Sequence, residues 1–208
     1  MSPTLLFGWL AARSVARGLP APVADRGGFR VDTAGEIEIC RWAFVKACDG
    51  LSALGRTLDA PGYFLKLCGS GEDLLAALPP RWRLREPRYF MGGPALPPAP
   101  IALPADYVLQ RQRDAGVSRV AILAPDGTLA ASGSAAEAAG VFIYDQIITD
   151  PDHRRKGLGR AVMAALRNAK ADAVVPELLV ATEEGRALYT TLGWTELSPF
   201  ATAEVAPS

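Results

Sequence analysis

The sequence predicts an α/β protein, a β-sheet flanked by helices and preceded by an N-terminal α/β subdomain. Three observations carry the expectation. Residues 1–92 alternate between strand-like and helix-like patterning, a proline-rich segment follows, and the second half runs from closely spaced strands into a basic, glycine-bearing turn that opens a helix.

In order along the chain, the apolar spacing of residues 5–17 predicts an amphipathic helix, "GLPAPVADRGG" a loop and "FRVDT" a short strand. Residues 35–61, "GEIEICRWAFVKACDGLSALGRTLDAP", carry apolar residues at roughly helical spacing and predict a helix that stops at Pro61. "GYFLKLC" reads as a strand. "SGEDLLAALPP" reads as a short helix with Ser70 as N-cap, and "PRYFMGG" as another strand. The segment "GGPALPPAPIALPADY" is the richest in proline, which places a subdomain at 1–92, a linker at 93–104 and a second domain at 105–208.

In the second domain "YVLQRQR" predicts a strand, and residues 118–150 predict two or three more joined by turns, with Asp126-Gly127 as the strongest hairpin signal. Lys156 to Lys170 form the main helix, "ELLVA" a strand, "TEEGRALYTTLG" a helix closed by Gly193, and "WTELSPF" a last strand.

Composition restricts the partners. Half of the 208 residues are hydrophobic, and Lys plus Arg equal Asp plus Glu at 22 each, so no overall field draws the chain to nucleic acid or to an anionic membrane. Any anion site must be local. Cys40, Cys48 and Cys68 follow no metal-ligand spacing and His153 is the one histidine, which argues against a metal site. Reduced thiols suit a cytoplasmic protein, although a disulfide between two of the cysteines stays open. The apolar N-terminus lacks a basic flank before it and is too short to span a bilayer. Its cluster of Leu5, Leu6, Trp9 and Leu10 could cover a second subunit in a homodimer as readily as its own core. Trp42, Trp82 and Trp194 read as core or interface anchors.

The stretch "IITDPDHRRKGLGRAVMAAL", residues 147–166, points to a ligand. A strand that ends in a turn and opens a helix presents unpaired N–H groups where the helix dipole favours an anion. Gly157 and Gly159 let the backbone approach closely, and Arg154, Arg155, Lys156 and Arg160 add positive charge. The expected ligand is a phosphate or pyrophosphate. The spacing is neither a Walker A loop nor a dinucleotide fingerprint.

Arg154-x-x-Gly157-x-Gly159, with the strand "VFIYDQIITD" before it and a helix after it, resembles motif A of the GNAT superfamily of N-acyltransferases. "LLVATEEGRALYTTLGW", residues 178–194, is similar to the superfamily's motif B. The resemblance implies a GNAT-like central mixed β-sheet flanked by helices, and acetyl-CoA as cosubstrate with no metal. It implies acetyl transfer by direct attack of an amine, from a small molecule or a protein. Arg154 to Arg160, Leu158 included, would hold the pyrophosphate, and backbone at Ile147, Ile148 and Thr149 would pair with the pantetheine arm. Tyr189 would lie near the sulfur as general acid. Thr182 stands where many members have asparagine, and Gly185 where many have alanine. Asp145 and Tyr144 are candidate bases.

The resemblance covers residues 105–200 and leaves out the two helices that a typical member places between its first two strands. The N-terminal half must supply that wall or be a degenerate copy of the fold without a second phosphate turn. A silent CoA-binding or regulatory module, and a site for some other phosphate ligand, are the alternatives. The acceptor, the base and the oligomeric state are not specified by the sequence.

Overall fold

The computed structural model describes residues 1–94 and 102–205. Most of the expected linker, residues 95–101, lies outside the described residues. The chain begins with α1 (Pro3–Arg17), then β1 (Val23–Asp25), β2 (Gly28–Asp32), β3 (Cys40–Phe44), α2 (Asp49–Thr57), β4 (Tyr63–Leu67), α3 (Gly71–Ala76), β5 (Trp82–Leu84) and β6 (Tyr89–Gly92). The second half contains β7 (Val108–Asp114), β8 (Val117–Leu123), β9 (Leu129–Ala138), β10 (Val141–Thr149), α4 (Leu158–Arg167), β11 (Glu177–Ala181), α5 (Glu183–Thr191), β12 (Thr195–Pro199) and β13 (Ala201–Val205). Among the described residues, no helix is long and apolar enough to cross a membrane.

The strands form two mixed sheets. One has the order β1-β2-β3-β4-β13-β5, the other β12-β6-β11-β10-β9-β8-β7. The halves share a plan: a hairpin leads into a strand, a helix and a parallel neighbour (β3-α2-β4 and β10-α4-β11), then a further helix and strand. The closing strand of each half is given to the other. β6 enters between β11 and β12, and β13 enters between β4 and β5, both antiparallel. Strands therefore cross the 92/105 division in both directions.

The single helix expected over 35–61 is a strand followed by a shorter helix. Every residue of β3 is buried between β2 and β4, so its apolar run lacks the period-two alternation that marks a half-exposed strand. Short β5 and terminal β13 also escaped the sequence reading. Residues 118–150 hold β8, β9 and β10, and Asp126-Gly127 does turn a hairpin, with Gly127 at φ 84. Ala115-Gly116 and Ala139-Gly140 make tighter two-residue turns with positive φ at both positions, the requirement of a type I′ turn.

Helix α1 is well delimited: Ser2 accepts from the Leu5 N–H, Pro3 opens the first turn, and Gly18 closes it in the left-handed region. It packs on β9 and β10 of the second sheet. Gly8 makes this possible, since a Cβ there would come within 2.0 Å of Val141. The apolar face of α1 is spent inside the chain, where Leu6, Trp9 and Leu10 pack with Val141, Ile143 and Leu178. Trp9, Phe90 and Phe200 meet edge-to-face, with centroids 4.8 to 5.5 Å apart, and join α1 to β6 and to the link between β12 and β13. On the other face of this sheet α4 packs on β8, β9 and β10 and α5 on β11 and β12, sharing a core that includes Phe142, Leu179 and Trp194. Trp42 and Trp82 anchor the core of the first sheet, and all three cysteines are free thiols.

Candidate active site

The parallel strands β10 and β11 pair only at Phe142 with Glu177 and Ile143 with Leu178, and then part. A bulge in β10 between Asp145 and Ile148 accompanies the parting, with Gln146 at φ 55 and the Ser134 hydroxyl donating to the Asp145 carbonyl at 3.1 Å. Backbone groups from Tyr144 onward thus face a slot rather than a neighbouring strand. Ile147 is half-buried beneath it, Ile148 is exposed, and Thr149 lies where β10 meets the head of α4.

That junction is built for close approach. Asp150 opens a single helical turn, Pro151–His153, and accepts from the Asp152 N–H. Arg155 and Gly157 are both left-handed, at φ 61 and 75, and Gly157 caps α4 without any side-chain bond. Among the described residues, the N–H groups of Arg155 through Gly159 have no acceptor. A Cβ on Gly159 would sit 3.3 Å from Thr149 Oγ1, so the glycine lets strand and helix head touch. Leu158 buries its side chain in the core while its N–H stays at the turn. Arg154 pairs with exposed Glu184 at 3.2 Å, and Arg155 is exposed. Lys156 donates to the Tyr107 hydroxyl at 3.0 Å, which also meets His153 Nδ1 at 2.8 Å. Arg160 is half-buried on the first turn of α4. His153 is therefore part of the turn's own structure.

Tyr189 lies buried on α5 with its ring 5.9 Å from that of Trp194, and its hydroxyl makes no hydrogen bond among the described residues. Burial pushes its ionisation up to about 12. Thr182 caps α5 by accepting from the Gly185 N–H at 3.0 Å. Gly185 matters for the tyrosine: a Cβ there would press on the Tyr189 ring at 3.3 Å.

The two candidate bases separate. The Tyr144 hydroxyl donates to buried Glu177 at 2.8 Å, and Glu177 also meets Arg167 at 2.9 Å and Lys170 at 3.2 Å. Burial, and then the neighbouring Glu177 charge, push the Tyr144 ionisation far up, so this side chain is a structural donor and not a base. Asp145 points to the other face, where Arg17 donates to both carboxylate oxygens at 2.5 and 2.9 Å and Arg13 stands 4.0 Å away. That face opens on a cavity of about 600 Å³ between the sheets. Tyr144, Asp145 and Val180 reach it from the slot; Trp9 and Arg17 from α1; Phe64 and Lys66 from β4. Its other walls include Arg85, Arg88 and β13. Apart from Tyr144 and Asp145, the sequence reading missed these lining residues as part of a site, because they come from segments far apart along the chain, with no local pattern.

The parallel pair in the first sheet has no slot. β3 and β4 stay paired from Cys40 with Tyr63 to Phe44 with Leu67, and the Cys68 N–H continues to the Phe44 carbonyl. The head of α2 is also occupied, since a Cβ on Gly50 would fall 1.8 Å from the carbonyl oxygen of Arg26 in the β1–β2 turn. Among the described residues, no group of His, Cys, Asp and Glu side chains is gathered to hold a metal ion.

Residues 108–196 match the family model described as acetyltransferase (GNAT) domain. A search of curated proteins gives no match. Among solved structures, a GCN5-related N-acetyltransferase from Kribbella flavida superposes with a TM-score of 0.69 at 12% identity, over 100% of this chain and 96% of that one. A putative acetyltransferase of the GNAT family from Novosphingobium aromaticivorans gives 0.61 at 18% identity, over 98% and 97%. A tandem GNAT protein from the clavulanic acid biosynthesis pathway gives 0.50 at 16%, over 70% and 65%. At such identities the likeness concerns the fold, and it extends over both halves. Residues 108–196 are thus similar to acetyltransferase (GNAT) domains, and the whole chain shares the fold of the solved GNAT proteins on which it superposes.

Proposed function

We propose that the chain, a GNAT-type N-acyltransferase, uses acetyl-CoA and passes its acetyl group directly to an amine. The observation that carries this reading is the parting of β10 from β11 beside the unpaired N–H groups that head α4. Those N–H groups, with Arg154, Arg155, Lys156 and Arg160 around them, suit a pyrophosphate, and Gly157 and Gly159 leave room for it. Backbone at Ile147, Ile148 and Thr149 offers pairing to the amides of a pantetheine arm lying in the slot.

The acceptor enters from the cavity beside Asp145. Its free-base nitrogen attacks the thioester carbonyl, a backbone N–H in the slot steadies the oxyanion, and the carbon–sulfur bond breaks. Tyr189 gives its proton to the departing thiolate and regains one from solvent. A hydroxyl raised to about 12 keeps that proton at neutral pH, as an acid must. Gly185 and the Thr182 cap hold the Tyr189 ring in place. Asp145, held by Arg17, accepts a hydrogen bond from the attacking amine, and the proton that the nitrogen sheds on becoming an amide leaves through the open cavity.

Titration calorimetry with acetyl-CoA, desulfo-CoA and ATP tests the site. Binding of both CoA species without ATP supports it, and absence of acetyl-CoA binding refutes it. The engagement of Asp145 by Arg17 favours a second reading, a CoA-binding module without turnover. CoA binding with no thiol release from any amine would select that reading.

A further inference from the structure

We infer that the cavity between the sheets is the acceptor site and that it takes an amine which also carries one carboxylate, an amino-acid-like molecule whose carboxylate sits at Lys66 and whose nitrogen faces Asp145. The acceptor role rests on the function proposed above; the carboxylate preference stands on the cavity itself.

The charged groups around the cavity do not all find partners. The carboxylates that border the cavity each have a guanidinium partner: Asp145 has Arg17 at 2.5 Å, Glu38 has Arg41 at 2.6 Å, Glu204 has Arg85 at 3.4 Å, and Glu86 has Arg88 at 3.7 Å. Lys66 has none within ion-pairing distance among the described residues. Its ammonium donates to the Thr202 hydroxyl at 3.2 Å and lies 5.6 and 5.9 Å from the Phe64 and Phe200 rings. Glu38 acts on this ammonium only from beyond ion-pairing distance, so it is poorly compensated, and a ligand anion in contact with it would relieve it. Burial is the main cause that holds its ionisation down, to about 8.

Lys66 presents an ammonium that a ligand carboxylate can meet at a single point, while Arg13, the other lining cation without a carboxylate of its own, stands 4.0 Å from Asp145 and shares it with Arg17. At the other end Asp145, held by Arg17 and Arg13, lies next to the slot and can accept a hydrogen bond from a neutral amine, so one molecule with an amine and a carboxylate can span the cavity. Trp9, Phe64 and Phe200 leave an apolar flank for a side chain, and about 600 Å³ is room for a small ligand. The cationic wall comes from the first sheet, which has no slot of its own.

The test needs neither CoA nor turnover. N-acetylglycine, N-acetylleucine and N-acetylphenylalanine resemble products of such a transfer; each is titrated beside its carboxamide, with O-phosphoethanolamine as the phosphate arm. At least one acid should bind tenfold or more tightly than its amide. Lys66→Met should abolish the difference and Lys66→Arg should keep part of it. Equal binding of acids and amides, a preference unchanged in Lys66→Met, or tightest binding by the phosphate compound would overturn the inference. An acid preference in a protein that fails to bind acetyl-CoA would instead sink the transfer reading and leave the carboxylate site standing.

Discussion

Gly157→Val separates backbone strain from ligand contact at the head of α4. Gly157 sits at φ 75, ψ 6, where a β-branched residue is a genuine outlier. The left-handed conformation costs an L-residue about 1–2 kcal/mol, which for a chain of this size lowers Tm by roughly 2–8 °C. If the backbone keeps its course, the valine side chain stands where a phosphate must approach; if it relaxes, the neighbouring N–H groups swing out of convergence. Either way the Kd for acetyl-CoA should rise tenfold or more, about 1.4 kcal/mol. Gly140→Val is the matched control, because Gly140 has φ 72 with nothing within 4 Å of a new Cβ and lies at the opposite end of β10. Calorimetric titration and thermal melting of both variants provide the readouts. The control should lose stability and keep affinity. If Gly157→Val melts lower yet binds acetyl-CoA like the control, the turn is not the pyrophosphate site.

Removing the Tyr189 hydroxyl breaks no bond within the described structure, so Tyr189→Phe should melt like the parent and bind acetyl-CoA equally, while turnover falls by about 10²–10⁴ if the hydroxyl is the general acid; an unchanged rate would return the residue to the core. The preference of the cavity for acids over amides should be full below pH 7 and fade as pH rises through about 8, because Lys66 loses its charge there while the ligand carboxylate stays ionised. Glu38, Arg41, Arg85 and Arg88 bear on Lys66, and a preference flat from pH 6 to 10 would show that the arginines carry it instead. A fragment of residues 105–208 lacks β6, which separates β11 from β12, and should show no cooperative melt; cooperative unfolding of that fragment alone would mean that the strand exchange is dispensable.

The local features of the site were readable because they depend on neighbours along the chain. Gly157 and Gly159 announce positive φ and close approach, Asp150-Pro151 announces the end of β10, and Thr182 announces the head of α5. What could not be read depends on segments brought together by the fold. The first half's β3 is as apolar as a helix face because both of its sides are covered. The roles of Tyr144 and Asp145, adjacent on one strand, are opposite because successive side chains of a strand face opposite ways. One enters the Glu177 network and the other meets Arg17 of a helix far away in sequence. No spacing rule predicts that Lys66 and Thr202 will meet across β4 and β13.

The reciprocal exchange of β6 and β13 gives the two halves different work while keeping one plan. A parallel strand pair can open a ligand slot only where its backbone groups find another partner, so opening it carries a cost without a ligand to pair with. In the second sheet the bulge at Asp145 to Ile148 and the glycine turn make the opening, and the long slot then points one face at the cavity. In the first sheet the pair stays closed to Cys68 and the Arg26 turn fills the head of α2, which leaves that sheet without a slot and able to serve as a wall. Thr202 and Glu204 on β13, pinned between β4 and β5, hold Lys66 and Arg85 across from Asp145 at positions that a loop could not fix, and this strand belongs by sequence to the half that carries the slot. Motion of either half against the other would therefore have to break the same strand pairings that set the distance between the two ends of the cavity.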